Sequence, residues 1–226
     1  MIRWLRKSVT YIAPLVILFA VIAFRGLDPG AVLEDMRLKI FDYYQRFQPR
    51  EYTPVPVRIV DLDDESLEKV GQWPWPRTLI AEMVANLAIA GAKVTAFDIV
   101  FAEPDRTSPK QVVPLWPETP ELEAVKAAVM SLPDHDELLG EYIGEAKNVV
   151  TGFVLTGDKL VRAPVRKATY ALGGVAPPPG VVSRYTGAVA NLAVIEKNAA
   201  GNGSFNLVPE KDGIVRRVPL VLCLQE

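Results

Sequence analysis

Residues 59–105 read IVDLDDESLEKVGQWPWPRTLIAEMVANLAIAGAKVTAFDIVFAEPD, and this stretch decides the fold that we expect. A β-branched apolar run over residues 55–62 predicts a buried strand, and a second such run over residues 93–101 predicts another. Residues 77–90 lie between them and have the apolar spacing of a helix, which Gly91 ends. A strand–helix–strand unit with a connection of this length is parallel, so both strands should end at the same edge of the sheet.

Two smaller elements separate the first predicted strand from the helix. Residues 64–70 predict a short helix with Asp64 as its N-cap and Gly71 at its end. Residues 72–76 predict a rigid turn, because two prolines fix the backbone there. We expect the longer helix to bury the face that carries Leu79, Met83, Leu87 and Ala90.

The rest of the chain predicts further helices and strands around this unit. Residues 102–120 are rich in proline, and we expect them to form a long loop at the same edge of the sheet. The other predicted elements are helices over 121–130 and 134–147, a core strand over 148–155, and strands over 204–207 and 214–224 around a Lys211-Asp212-Gly213 turn. The predicted fold class is therefore α/β, a mixed sheet with a parallel strand–helix–strand core, preceded by one N-terminal transmembrane helix.

The amino-terminal segment predicts a membrane anchor. Residues 9–24 carry no charge, and the basic residues before them favour a cytoplasmic amino terminus. A cleaved signal peptide is the alternative, but no small-residue cleavage site follows the apolar run. We predict a cytoplasmic N-terminus over 1–8, a transmembrane helix over 9–25, a stalk helix and linker over 26–54, and an extracytoplasmic domain over 55–226.

The stalk segment predicts an amphipathic helix that begins at Asp28 and Pro29 and ends near Phe47. Its apolar residues recur at helical spacing, and they are Leu33, Met36, Ile40, Tyr44 and Phe47. Two interpretations stay open for this helix. In the first, the helix packs on the core of the domain. In the second, it is a stalk that carries motion from the domain to the membrane through an interface between two copies of the chain. The chain stops directly after its last predicted strand, so we expect it to be a fragment of a longer protein.

Composition narrows the classes of function. Half of the 226 residues are hydrophobic, which is typical of a folded protein rather than a disordered chain. The net charge of −2 combines +4 in residues 1–25 with −6 in the remainder, so we expect no nucleic-acid partner. The single Cys223 excludes an intramolecular disulfide, and the single His135 argues against a multi-histidine metal site or a histidine-centred triad.

Six acids are candidate functional residues, because strand direction should bring them to one edge of the sheet. They are Asp61, Asp63, Asp64, Asp98, Glu103 and Asp105. Carboxylates that lie this close repel one another unless Ca²⁺, Mg²⁺, a basic side chain or backbone amides compensate. The alternative is that they are helix caps, solvated loop acids, or ion-pair partners of Arg58, Arg77 and Arg106. Asp61-Leu62-Asp63 also resembles the acid pair of haloacid-dehalogenase-type phosphatases, but no matching lysine segment follows.

The Trp73–Arg77 turn is the second candidate, because its two prolines hold both indoles in place. The indoles pack over the sheet edge or line a pocket, and we expect Arg77 to form an ion pair or to reach into the acidic cluster. No catalytic residue is assigned. The set predicted to bind a ligand or a cation is Asp61, Asp63, Asp64, Asp98, Glu103, Trp73, Trp75 and Arg77.

Residues 57–105, together with GSFNLVPEKDGIVRRVPLV over 203–221, resemble the second type of CHASE domain, an extracytoplasmic sensory domain of bacterial membrane receptors. The family's pattern falls on Asp61, Asp63, Asp64, Ser66, Trp73, Pro74, Trp75, Pro76, Arg77, Gly91, Asp98, Phe101, Glu103, Asp212, Gly213, Arg216 and Arg217. The resemblance implies a receptor of the bacterial inner membrane, with the domain in the periplasm or outside the cell. It further implies that the domain regulates a cytoplasmic adenylate cyclase, or otherwise a kinase or a diguanylate cyclase.

The resemblance also implies partners. These are the lipid bilayer, an unidentified extracytoplasmic ligand and a second copy of the chain, since cyclases of that class form their active sites between two chains. The alternative function is a membrane-anchored periplasmic hydrolase that uses the acidic cluster. Apart from Ca²⁺ or Mg²⁺ at the acidic edge, no cofactor is expected.

Overall fold

A computed structural model describes residues 14–23, 31–158, 162–168 and 182–224. Its contacts divide the chain into two compact units, residues 1–61 and residues 62–226. Both units contain helices, whereas every strand that the structure describes lies in the second unit.

The first unit contains helix α1 over residues 14–23 and helix α2 over Ala31–Phe47. Among the described residues, no helix combines the length and the apolar character that crossing a bilayer requires. The predicted transmembrane helix over 9–25 extends past the described residues at both ends, so it stays a prediction. The predicted start of the stalk helix at Asp28 also lies outside them, whereas the predicted end at Phe47 is confirmed.

The predicted first strand over residues 55–62 is wrong. The segment has no regular secondary structure, and residues 55–61 are exposed, with Ile59 at 88%. Strand propensity measures how well a side chain fits a half-buried pleated surface, so a β-branched run forms a strand only where a neighbouring strand pairs with it. Pro54 and Pro56 at the start of this run have no amide to donate to such a ladder.

Helices make up much of the second unit. They are α3 (Asp64–Val70), α4 (Arg77–Ile89), α5 (Pro109–Val112), α6 (Pro120–Met130), α7 (His135–Ala146) and α8 (Ala193–Asn198), with a 3₁₀ turn over Val113–Leu115. The helices predicted over 64–70, 77–90, 121–130 and 134–147 are confirmed to within one residue at each end.

The N-cap of α3 is Asp63, not the predicted Asp64. The Asp63 carboxylate accepts hydrogen bonds from the backbone amide of Ser66 at 2.9 Å and from its hydroxyl at 2.6 Å. These bonds hold the pKa of the Asp63 carboxyl below its ordinary value. A capping side chain has to precede the first helical residue, and Asp64 already has helical geometry.

The strands of the second unit form two sheets. They are β1 (Thr95–Ala96), β2 (Val149–Thr156), β3 (Arg184–Tyr185), β4 (Gly187–Val189), β5 (Gly201–Ser204) and β6 (Cys223–Leu224). In the larger sheet, β2 pairs in parallel with β1 and β5 and antiparallel with β4, while β3 and β6 form a separate parallel pair. The predicted mixed sheet is therefore confirmed.

Different elements supply the parallel core from those predicted. The connection from β1 to β2 contains α5, the 3₁₀ turn, α6 and α7, and α8 precedes β5. Parallel strands with helical connections are therefore present around β2. The predicted strand over 93–101 shrinks to β1, although Phe97 still donates a backbone hydrogen bond to Val150 at 3.0 Å. Phe101 lies beyond the ladder, since its amide bonds the side chain of Asn191 and its carbonyl bonds the amide of Leu192.

The hydrophobic core lies between the large sheet and helices α4, α7 and α8. Its buried members are Ile80, Ala81, Val84, Phe97, Phe101, Leu139, Ile143, Val149, Ile195 and Ala199. Burying each of the larger aliphatic side chains contributes about 1.5–3 kcal/mol. Gly140 lets α7 and α8 approach closely, because an added Cβ would lie 3.0 Å from the side chain of Val194.

The buried face of α4 differs in part from the predicted one. Met83 packs against the core and Leu87 is partly buried, as the prediction requires, but Leu79 and Ala90 are exposed. The residues that the helix buries most fully are Ile80, Ala81 and Val84. Arg77, the first helical residue, is buried together with them.

The predicted loop over 102–120 is wrong in part. It contains α5 and the 3₁₀ turn, and it buries Asp105, Ser108 and Val113. Proline content suggested an exposed loop, but Pro109 stands at the first turn of α5, where its missing amide costs nothing.

The two strands predicted near the C-terminus are also displaced, because strand pairing occurs over Gly201–Ser204 and Cys223–Leu224 instead. The turn between them is confirmed. Gly213 has φ +80°, and the Glu210 amide donates to the Ile214 carbonyl at 3.0 Å. A side chain at position 213 would be strained, so glycine is the residue that fits this turn.

Candidate functional site

The Trp73–Arg77 turn leads directly into α4. The Trp73 and Trp75 rings contact edge to face at a centroid distance of 5.9 Å, and both pack against the core. The indole nitrogen of Trp75 donates to the Gly71 carbonyl at 2.7 Å, which ties the turn to the end of α3. Both rings are partly buried, so the turn serves as packing while it keeps part of each indole at the surface.

Arg77 joins two buried carboxylates in a closed ring of hydrogen bonds. Its backbone amide donates to Asp105 Oδ2 at 2.7 Å, and its Nε donates to Asp136 Oδ1 at 3.3 Å. The Asp105 amide donates to Asp136 Oδ2 at 2.9 Å and completes the ring. The exposed fractions of Arg77, Asp105 and Asp136 are 7%, 4% and 5%. The first amides of a helix have no partner within it, so Asp105 caps α4 from a distant segment.

The guanidinium group of Arg77 has two further contacts. Nη2 donates to the Glu103 carbonyl at 3.3 Å, and Cζ lies 4.6 Å from the centre of the Phe101 ring. A guanidinium over an aromatic face is attracted by the ring quadrupole, and more strongly where water is excluded. Arg77 therefore links the start of α4 to the segment after β1 and to α7.

His135 and its neighbours surround Asp105. The His135 Nδ1 atom lies 3.1 Å from Asp105 Oδ2 and 3.3 Å from Thr107 Oγ1. The Thr107 hydroxyl donates to Asp105 Oδ1 at 2.8 Å, and the Ser108 hydroxyl accepts from the His135 amide at 3.2 Å. The hydroxyls of Thr107 and Ser108 thus tie Asp105 to the start of α7.

The amino-terminal end of α7 stabilises Asp136. Asp134 is the N-cap of α7, and its Oδ1 accepts from the amides of Asp136 at 2.9 Å and Glu137 at 3.3 Å. Asp136 lies in the first turn, where the helix dipole favours a negative charge. The first turn of α7 thus places the Asp136 carboxylate within hydrogen-bonding distance of the Arg77 guanidinium.

The two acids of the ring have opposite pKa shifts. Burial raises the pKa of Asp105, but hydrogen bonds from the Arg77 amide, from Thr107 and from His135 outweigh it, and the pKa is lowered. Burial also raises the pKa of Asp136, and here the Asp105 amide and the Arg77 charge are too weak to reverse the shift. The neighbouring carboxylates of Asp134 and Asp105 add to the raised pKa of Asp136.

These shifts determine how pH changes stability. Asp105 stabilises the fold above its unfolded pKa, near 3.8, and this contribution is lost as the pH falls through its lower folded pKa. Asp136 acts in the opposite sense, since its contribution is fully present below 3.8 and is lost as the pH rises through its raised folded pKa.

Asp105→Asn is expected to destabilise the protein above pH 3.8, and the difference from the wild type should narrow as the pH falls below that value. The measurement is the free energy of urea unfolding across the acidic range. Asp98→Asn, at an exposed position, is the matched control. A difference that stays constant with pH would contradict the role of the Asp105 carboxylate.

A second buried polar group lies between β2, Phe101 and α8. Asn191 is fully buried; its Oδ1 accepts from the Phe101 amide at 2.7 Å, and its Nδ2 donates to the Gly152 carbonyl at 2.7 Å and to Glu196 Oε1 at 3.4 Å. Glu196 is also buried and accepts from the Val165 amide at 2.8 Å. Beyond Phe97, where backbone pairing with β2 ends, the side chain of Asn191 bridges Phe101 and Gly152 of β2 instead.

The acids predicted to share one sheet edge divide into two kinds. Asp105 is buried, whereas the other five are exposed, and they are Asp61, Asp63, Asp64, Asp98 and Glu103. Across the described residues, no group of three or more His, Cys, Asp or Glu side chains is arranged to hold a metal ion. Binding of Ca²⁺ or Mg²⁺ by these acids stays a prediction.

The Asp212–Gly213 turn carries two ion pairs. Arg216 contacts both carboxylate oxygens of Asp212, at 2.9 and 2.7 Å, and Arg217 contacts Glu210 at 2.6 Å. The hydrogen bonds from Arg216 lower the pKa of Asp212 to about 2. Arg216 and Arg217 thus link the residues after the turn to Asp212 and Glu210.

Four members of the Arg77 site were not predicted from the sequence, and they are Asp136, His135, Thr107 and Ser108. The spacing of Asp134 and Asp136 marks the start of a helix, which is a signal for capping but not for a partner 59 residues away in the chain. A solvated loop position is one of the predicted alternatives for Asp105, and its burial excludes that alternative.

The fold and the site define a class: an α/β domain with a mixed sheet, whose Trp-Pro turn and buried arginine hold the edge of the core together. The family model of the CHASE2 domain matches residues 15–225, so the chain belongs to that family. CHASE2 domains are extracytoplasmic sensory domains of signalling receptors. Comparison with curated proteins and with solved structures gave no match.

Proposed function

We propose that the chain is the extracytoplasmic sensor region of a receptor in the bacterial inner membrane, and that the receptor regulates a cytoplasmic adenylate cyclase. The observation that carries the proposal is the CHASE2 match over residues 15–225. Residues 9–25 are the proposed anchor, with residues 1–8 in the cytoplasm, since the basic residues precede the apolar run.

The arrangement of charges supports binding rather than catalysis. The buried charged side chains of the Arg77 ring are used to hold α4, the segment after β1 and α7 together. The exposed acids Asp98 and Glu103 and the partly exposed Trp73 and Trp75 are left for a ligand. A ligand signals only if it binds two states of the domain with different affinity. We propose that it does so at these residues.

Replacing Asp98 and Glu103 together with alanine is expected to change cyclic AMP output by about fivefold or more, the lower part of the range for coupling between two sites. The full-length receptor is expressed in a bacterial host without an adenylate cyclase of its own, and cyclic AMP is measured. Removing both exposed carboxylates alters ligand binding without touching the buried ring.

The matched control is Glu141→Ala with Glu145→Ala, two exposed acids on α7, which should leave the output at the wild-type level. Absence of cyclic AMP with every variant and the wild type would exclude the adenylate cyclase output. Equal output from the wild type, the Asp98/Glu103 variant and the control would instead indicate a scaffolding module without a ligand at this surface.

A further inference from the structure

Helix α2 exposes an apolar stripe with the spacing of a coiled coil. The residues are Leu33, Met36, Ile40, Tyr43 and Phe47, at successive intervals of three, four, three and four. All five are exposed, from 42% for Leu33 to 76% for Phe47. This 3.5-residue period corresponds to the a and d positions of a heptad, which form a seam along one side of a helix.

The opposite side of α2 differs. Leu38 lies at the f position of the same heptad and is only 6% exposed. The aromatic residues of the seam are held in line, because the Tyr43 and Phe47 rings stack at 6.1 Å with an interplanar angle of 11°. The face with the coiled-coil period is thus exposed, and the Tyr43–Phe47 contact partly orders it.

We propose that the five-residue seam of α2 is the interface for a second copy of this chain, which packs as a parallel helix pair. In a twofold dimer the same surface of both copies meets. Two α2 helices would therefore bring identical a and d positions together, as in a parallel coiled coil. The parallel direction rests on the proposed function, because two copies anchored by the same N-terminal segment enter α2 from the same side.

The charges beside the seam fit a second copy. Arg37, at an e position, pairs with Glu34, and Lys39, at a g position, pairs with Asp35 at 2.8 Å, so these two cations are matched within their own helix. In a parallel pair, Lys39 of one copy faces Tyr44 of the other, and no like charges meet. Helix α2 has three acids and three bases, unlike the Lys- and Arg-rich polar face of a helix that lies on lipid.

The seam is small, so we expect the two copies to associate through it only when both are held in the same membrane. Five large side chains that each lose on the order of 100 Å² remove about 1,000 Å² from two helices, the lower limit for a specific interface. Helix α2 has 17 residues, which is little more than two heptads. Two copies held in one membrane meet at a high effective concentration, so a weak seam forms there.

Cysteine cross-linking of the full-length receptor in its membranes tests the proposal. Every native cysteine, including Cys223, is replaced by serine, and one cysteine is placed at Met36, Ile40 or Gln45. Gln45 is the matched control, because it is exposed on α2 but stands at an f position outside the seam. We expect disulfide-linked dimers from Met36→Cys and Ile40→Cys at several-fold the yield from Gln45→Cys. Adding Ile40→Glu to Met36→Cys should remove the cross-link.

Two results would overturn the proposal. One is equal cross-linking at positions 40 and 45, and the other is no cross-linking at either 36 or 40 in a receptor whose unfolding is unchanged. A fluorescent label at position 40 that reports burial in lipid, without a cross-link, would assign the seam to the bilayer. Cross-linking requires no stimulus and no cyclic AMP, so a failed seam and a failed sensor function are separate outcomes.

Discussion

Replacing Arg77 with alanine is expected to lower the free energy of unfolding by about 3–5 kcal/mol, the loss typical of removing one partner from a buried ion pair. The Arg77 side chain is buried, and its guanidinium is the cation that Asp136 contacts in the ring. Without it, Asp136 either keeps a buried charge with no cation or takes up a proton. The contact with Phe101 and the bond to the Glu103 carbonyl are lost as well.

Urea unfolding of the wild type and the variant gives this difference. Arg106→Ala is the matched control, because Arg106 lies in the same segment but is exposed, and its loss should stay within about 0.5 kcal/mol. Arg77→Lys keeps the charge but loses the planar donor group, so it should fall between the wild type and the alanine variant. A loss below about 1 kcal/mol for Arg77→Ala, with cooperative unfolding retained, would show that the ring contributes little to stability.

A double-mutant cycle separates the ion pair from the rest of the ring. Asp136→Leu alone leaves the Arg77 guanidinium without its carboxylate and the Asp105 amide without an acceptor. Combined with Arg77→Met, it removes both charges at once, and buried ion pairs replaced by apolar groups of similar size are often no less stable. We therefore expect the double variant to be more stable than the sum of the two single losses predicts.

The helices of the second unit could be predicted because their signals are local. The ends are marked by the glycine after α3, the proline before α4, Pro120 at the start of α6 and Asp134 before α7. Each of these signals acts through backbone groups only a few residues away. The face that a helix buries is a different matter. In α4 the buried residues include Arg77, whose ion-pair partner belongs to α7, and the spacing of the apolar residues alone gives no sign of that contact.

The strands were harder to predict, because a strand depends on a partner that lies elsewhere in the chain. Residues 55–62 and β2 are both β-branched, but only β2 has neighbours on both sides, and only β2 forms a long strand. The prediction of the acidic site failed in part for the same reason. The carboxylates were expected to converge because two strands would end together, and one of those strands does not form.

Several residues of the family's pattern have backbone or packing roles in the structure. Pro76 and Arg77 begin α4, Phe101 contacts the Arg77 guanidinium, and Gly213 provides the left-handed turn residue. Such positions preserve a fold whatever ligand it binds. Residues of this kind therefore help to identify the CHASE2 family, whose model matches residues 15–225.

Asn191→Leu is the second change with a large expected effect. The Asn191 side chain serves two backbone groups at once, accepting from the Phe101 amide and donating to the Gly152 carbonyl, each at 2.7 Å. Leucine has a similar volume but no polar atoms, so both backbone groups lose this partner. Leaving a buried polar group unsatisfied costs about 1–3 kcal/mol, and two such groups give an expected loss of roughly 2–6 kcal/mol.

Hydrogen exchange measures the mechanism as well as the magnitude of this loss. In the Asn191→Leu variant, the Phe101 amide should exchange faster than other buried amides of the core, because its acceptor is gone while the packing of Phe101 is retained. Asn86→Leu, at an exposed position on α4, should change the free energy of unfolding by no more than about 0.5 kcal/mol. If Asn191→Leu proved equally mild, Asn191 would not be what holds the segment after β1 against β2. If it behaves as expected, a single side chain takes the place of the strand ladder that ends at Phe97, and it keeps Phe101 beneath the Arg77 guanidinium.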